Sequence, residues 1–141
     1  MLQLTSLYNN IRASGGRITK IRREILQKLA DVECLISHAE ILQYLNKIQL
    51  KPDRSTIFRE LLFLVKNNII IKTTILGVDY YEIRHDHHHH LICLRCNVIE
   101  KVEICSQIEE NISEIARNWQ FNVINHTLEF YGYCRNCRVE D

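Results

Sequence analysis

The sequence predicts an α+β protein in two parts, helix-rich first and strand-rich second. Three observations carry this. Apolar residues recur at helical spacing as far as Lys66 and then give way to β-branched runs. Charge divides further along, after the β-branched runs: residues 1–84 hold 13 Lys+Arg against 8 Asp+Glu, a net of +5, whereas residues 85–141 hold 5 against 9, a net of −4. Four of the six cysteines form two C-x-x-C pairs, both in the second part. The expected architecture is an N-terminal winged-helix domain over 1–84, followed by a small α/β domain over 85–141 with a four-cysteine zinc site.

Each element has its own signal. Leu2, Leu4, Leu7, Tyr8 and Ile11 keep a rough helical period that stops near Gly15-Gly16. Thr19 can cap a second helix whose Ile21, Ile25, Leu26 and Leu29 share a face. Ser37 or His38 opens a third, with Ile41, Leu42 and Leu45 inward. Pro52 and Asp53 start a fourth, and Asp53 is a good N-cap for Arg54–Lys66. Its inward stripe is Ile57, Leu61, Leu64 and Val65, which leaves Arg54, Ser55, Phe58, Arg59 and Leu62 nearer solvent. Ile69–Ile75, Gly77 and Val78–Ile83 read as a hairpin. Helices followed by a hairpin outline a winged helix, in which the fourth helix is the one offered to a DNA major groove. Beyond a boundary at Arg84–His87, Leu91–Leu94 and Val98–Val102 read as strands. Ile108, Ile112, Ile115 and Ala116 mark an amphipathic helix, and Phe121–Tyr133 alternates as a further strand.

Composition excludes several classes. At 141 residues, 46% hydrophobic and 25% charged, with one Pro and four Gly, the chain is neither collagen-like nor broadly disordered. No window approaches 18 uncharged apolar residues, so no membrane span is expected. The N-terminus lacks the pattern of a secretory signal, which points to an intracellular, cytoplasmic protein. Reduced thiols are then expected, and a disulfide framework is not. Cys34 and Cys105 stand outside the pairs and read as ordinary small side chains.

The paired C-x-x-C is the sharpest motif. Two thiolates two residues apart grip one ion from a tight turn. Cys93/Cys96 and Cys134/Cys137, with 37 residues between them, complete a tetrahedral set of four thiolates. Such a set leaves no open position, so its zinc ion is structural. The second motif is His87-His88-His89-His90. In an extended segment His87 and His89 point one way and His88 and His90 the other, so one run can feed two metal sites. Neutral imidazole suits zinc, iron, nickel, manganese or copper. Glu82, Glu100, Glu103 and Glu109 are acids that can complete such sites, and His126 lies on a later segment. The third is the basic helix. Arg54 and Arg59 can reach phosphate or guanine, Thr56 phosphate, and Phe58 a thymine methyl.

Taken together, HHHHLICLRC, VIE and NHTLEFYGYCRNC resemble the ferric uptake regulator family, whose members read HHxHLIC-x-x-C, VIEF and H-x-L-x-x-YG-x-C-x-x-C. GRITKIRREIL, AEIL and RSTIFREL are similar to the family's N-terminal motifs, so the likeness runs over roughly residues 12–137. It implies a homodimeric, metal-responsive repressor with a winged-helix DNA-binding domain and an α/β dimerisation domain. It implies structural zinc at Cys93, Cys96, Cys134 and Cys137. It implies a regulatory site at Glu82, His88 and His90, with Glu100 as a further ligand, and a second inter-domain site at His87, His89, Glu109 and His126. For DNA it adds Arg17 near the minor groove to Arg54, Ser55, Thr56, Phe58 and Arg59. The expected partner is a double-stranded operator with two-fold symmetry; no membrane and no small organic substrate is expected.

This chain also departs from the pattern. Phe58 stands where the family has Tyr, and Ile36 where it has a histidine ahead of the third helix, while His38 lies next to Ala39. His89 replaces a frequent Asp, which is similar to the zinc uptake branch; Glu82, where that branch has Cys, leans toward the iron type. Zinc is the expected sensed metal, with Fe2+ or Mn2+ sensing and peroxide sensing as alternatives. A zinc enzyme and a metal buffer are the rival classes, and both are disfavoured. No H-E-x-x-H is present, and the basic helix has no use in a buffer.

Overall fold

The computed structural model describes residues 2–83, 88–104, 106–124 and 126–139, without the side chains of residues 2, 106 and 107. The chain divides into two compact units, Met1–His85 and Asp86–Asp141.

The first unit is built by capped helices around one aliphatic core. α1 (Leu2–Ala13) ends where Gly15 takes φ +79° and the Gly16 N–H returns to the Ile11 carbonyl at 2.9 Å. Gly16 is required there. A Cβ would stand 2.5 Å from Phe63 Cζ and 2.9 Å from Ile11 Cγ2. α2 (Lys20–Val32) starts at Thr19, whose hydroxyl accepts from the Arg22 N–H, and ends at Glu33 in the left-handed region. α3 (His38–Lys47) starts in a capping box: Ser37 accepts from the Glu40 N–H while the Glu40 carboxylate accepts from the Ser37 N–H. α4 (Arg54–Lys66) starts at Asp53, which accepts from the Thr56 N–H at 2.7 Å. These helices bury Ile25, Leu26, Leu29, Ile41, Leu45, Ile57, Leu61 and Leu64 in one cluster with Ile11, Ile70, Tyr81 and Ile83.

β1 (Ile36–Ser37), β2 (Ile70–Ile75) and β3 (Val78–Ile83) form an antiparallel sheet in the order β1-β3-β2. The β2–β3 hairpin turns on Leu76 and Gly77, both at positive φ, as a two-residue primed turn demands. Helices followed by this hairpin make a winged helix. β1 carries no signal in the sequence, because two residues are too few for alternation. It exists by pairing Ile36 with Tyr81 and Ser37 with Tyr80.

The second unit is a three-stranded sheet with one helix. β4 (His89–Cys93) pairs antiparallel with β5 (Ile99–Val102). α5 (Ser106–Asn118) then carries the chain back, so that β6 (Glu129–Gly132) lies parallel to β4 on its other side. The expected strand over Phe121–Tyr133 is corrected here: among the described residues of that span only Glu129–Gly132 pair, and Phe121 and Ile124 are exposed. Alternation is a local pattern, whereas a strand needs a neighbour, and β4 offers β6 four residues of edge. β4 also begins two residues earlier than expected, which takes His89 and His90 into the sheet.

Candidate functional site

The two C-x-x-C turns converge at one end of the second sheet. Cys93 ends β4, and its carbonyl accepts from the Asn97 N–H at 2.9 Å, with Asn97 at φ +59°. The Cys134 carbonyl accepts from the Cys137 and Arg138 N–H groups at 2.9 and 2.8 Å. The four sulfurs lie within 4.8 Å of one another, and Cys96 Sγ and Cys134 Sγ are 3.7 Å apart. A tetrahedron with zinc–sulfur arms of about 2.3 Å has edges of about 3.8 Å, so the cluster fits a structural zinc ion. Its electrostatics ask for a cation. The Cys134 N–H, at 3.4 Å, and then the Cys96 N–H bring the Cys93 thiol down to about 6. Hydrogen bonding with the Cys134 thiol, then desolvation, pushes Cys137 up to about 12. At Cys96 the Val98 N–H pulls down, but the thiols of Cys93 and Cys134 together with desolvation push it up. Four sulfurs this close resist common ionisation until a dication neutralises them. Arg95 ties the turns together: it donates to the Cys137 carbonyl at 2.9 Å and lies 5.4 Å over the Tyr133 ring.

The histidine run enters β4 and splits by the pleat. His88 and His90 share a face, with Nε2 atoms 3.1 Å apart and rings crossed at 83°. Zinc–nitrogen arms of about 2.0–2.1 Å set two nitrogens about 2.9 Å apart at a right angle and about 3.4 Å apart in a tetrahedron. The observed spacing lies between, so this pair fits two ligands of one ion. His89 points to the other face, with its ring 5.6 Å from that of His126. His87 lies outside the described residues, and Glu109 stands exposed on α5. Glu82 is buried on β3 of the first unit, where it pairs with Ile71.

Glu100 does not join His88 and His90. It stands opposite Leu91 in the β4–β5 ladder, and paired residues share a face, so it points away from the histidine pair. The residue opposite His90 on β5 is Lys101, and on β6 it is Glu129. The sequence reading missed both. The signal that finds them is strand register, which no short motif carries.

On the first unit, α4 turns Ile57, Leu61 and Leu64 inward and leaves Arg54, Ser55, Phe58, Arg59 and Leu62 exposed, with Thr56 half-buried. Phe58 is 56% exposed, an unusual setting for a phenyl ring on a helix that has a core to face. Thr56 and Ser55, through N–H and hydroxyl, hold the Asp53 carboxyl below its usual range and pin the first turn. A buried cation fastens this helix to the segment before α2. Arg22 pairs with Glu60 at 2.6 Å, donates to the Arg17 carbonyl at 2.7 Å and lies 3.9 Å over the Phe63 ring. The sequence reading missed this link as well. It positions the exposed Arg17 beside the α4 frame. No helix among the described residues is long and apolar enough to cross a membrane.

Comparison with known proteins agrees with this geometry. The model of the Ferric uptake regulator family matches residues 13–131. The Bacillus subtilis ferric uptake regulation protein is 32% identical, over 99% of this chain and 97% of its own length. The corresponding Helicobacter pylori J99 protein is 28% identical, over 98% and 93%. Among solved structures, the Helicobacter pylori ferric uptake regulator, described as having three functional metal binding sites, superposes with a TM-score of 0.83 at 27% identity. It covers 99% of this chain and 93% of its own. The sulfur cluster, the histidine pair, the winged helix and a match running from residue 13 to residue 131 agree: this chain belongs to the ferric uptake regulator family of metal-responsive transcription regulators.

Proposed function

We propose that this chain is a zinc-sensing repressor. It acts in the cytoplasm as a homodimer that binds a double-stranded operator with two-fold symmetry when metal is held at His88 and His90. The observation that carries the reading is the 3.1 Å approach of the two Nε2 atoms, in the same unit as a separate, closed sulfur cluster. One site is built to be permanent and the other to exchange. Neutral nitrogen donors favour zinc over iron or manganese, and Glu100 on the opposite face adds no oxygen to the pair.

α4 is the reading helix. Arg54 and Arg59 face phosphate or guanine, Ser55 and Thr56 phosphate, and Phe58 a thymine methyl, with Arg17 reaching a neighbouring groove. Metal promotes DNA binding to the extent that the DNA-competent arrangement holds it more tightly than the alternative does. Glu82 as a further regulatory ligand, and His87, His89, Glu109 and His126 as a second set, are proposals that single substitutions followed by metal analysis decide. A second reading, iron sensing, is favoured by the names of the relatives, which are ferric uptake regulation proteins.

The test combines metal content with operator binding. One zinc per chain should survive mild EDTA, while a second metal leaves and returns. The metal that restores fluorescence anisotropy of a labelled operator, zinc or anaerobic Fe2+, chooses between the readings. Arg59→Ala should abolish operator binding and leave metal content intact. Loss of metal as well would show that reading and sensing are not separate tasks.

A further inference from the structure

We infer that the sheet tunes metal binding at the His88–His90 pair through Lys101 and Glu129, and that Glu100 takes no part. This rests on the reading of the histidine pair as the exchangeable site. The argument is register. In the antiparallel ladder His90 faces Lys101 and Leu91 faces Glu100. In the parallel ladder His90 faces Glu129 and Leu91 faces Phe130. Directly paired residues project from the same side of a sheet, with Cβ atoms about 4.5–5.5 Å apart in the antiparallel case. The histidine face therefore carries one cation and one anion as immediate neighbours of His90. Glu100 belongs to the far face with Leu91 and Phe130, where it lines a pocket of about 170 Å³ with Val98 and Tyr133. A carboxylate cannot reach through its own sheet.

Both neighbours are held in local pairs on that face. Lys101 Nζ lies 3.1 Å from Glu103 Oε1, with the lysine side chain about one-third exposed. Glu129 accepts from the Tyr131 hydroxyl at 2.6 Å. Tyr131 faces Ile92 in the parallel ladder, so it lies on the histidine side too. A dication bound by His88 and His90 meets repulsion from the Lys101 ammonium and attraction from the Glu129 carboxylate. Over roughly 7 Å of partly aqueous dielectric, each is worth about threefold to tenfold in affinity, and added salt reduces it. Lys101 thus loosens the exchangeable site and Glu129 tightens it, which sets the working concentration without changing the ligands.

The experiment titrates full-length protein, with its tight zinc retained, with Zn2+ and Co2+ against a chromophoric chelator. Far-ultraviolet dichroism and retained structural zinc verify that each variant is folded. His90→Ala should remove the exchangeable event, Glu100→Gln should leave its affinity within about twofold, Lys101→Met should tighten it and Glu129→Gln should weaken it. The Lys101→Met gain should shrink as salt is raised. The inference is overturned if Glu100→Gln weakens binding as strongly as His90→Ala does, or if Lys101→Met brings no gain. If His90→Ala leaves the exchangeable event untouched, the reading of the histidine pair falls first, so the two failures are distinguishable.

Discussion

At the scale of single residues, the sulfur cluster shows how a backbone prepares a metal site. Cys93 meets the N–H groups of Cys134 and Cys96, and its thiol falls to about 6. Cys137 meets a neighbouring thiol and rises to about 12. The sign is fixed by these directions. In metal-free folded protein above pH 6, Cys93 is already a thiolate, whereas an unfolded chain keeps that proton until about pH 8.5. The stabilisation that this thiolate contributes is full above the unfolded value and is lost as pH falls through 6. Loading zinc at pH 7.5 should therefore release fewer than four protons per chain. The count should climb toward four as pH is lowered through 6. Calorimetry in buffers of different ionisation enthalpy reads that count, and four protons at pH 7.5 would contradict the geometry. The identity of these four ligands was legible in the sequence, because C-x-x-C spacing is a local property. Arg95 was legible only as a charge between two cysteines, since its carbonyl partner lies 42 residues away.

At the scale of elements, caps were the readable part. Thr19, Ser37 and Asp53 each begin the helix expected of them, because capping is settled within four residues. Strand partners were not readable. β1 exists by pairing with β3, and β6 spans the four residues that pair with His90–Cys93 of β4, so neither limit is written in its own sequence. The same gap hid the face of Glu100: the motif VIE names the residue, but the β4–β5 register decides where it points. The hairpin turn joins the two kinds of evidence. Gly77 was legible as a turn residue, but Leu76 at φ 49° was not. A branched-chain residue in that region is strained, and Leu76 is 56% exposed, so it recovers little by burial. Asn-Gly is the preferred pair for this turn. Leu76→Asn should stabilise the first unit by about 0.5–1 kcal/mol, read as a higher denaturant midpoint at unchanged slope.

At the scale of the whole molecule, opposite charge on the two halves separates the tasks. The first 84 residues carry +5 and the rest −4, so a net of +1 conceals a basic head and an acidic body. A polyanion is attracted to one and repelled by the other, which orients the proposed encounter before any base is read. Binding to phosphate releases counterions, so the logarithm of operator affinity should fall linearly with the logarithm of salt concentration. The slope is about −0.9 per phosphate contacted. Within this frame the exposed residues of α4 should separate into two kinds. Arg54→Ala, at the first turn of the helix, should weaken operator and unrelated duplex alike and make the slope shallower by about one for each copy of the substitution in the proposed dimer. Phe58→Ala should leave the slope in place and reduce the preference for operator over unrelated duplex, because an apolar contact to a base carries sequence but no charge. Anisotropy titrations of both variants across a salt series measure slope and preference together. If Arg54→Ala leaves the slope unchanged while Phe58→Ala makes it shallower, then α4 does not meet DNA by the exposed face that its packing leaves free.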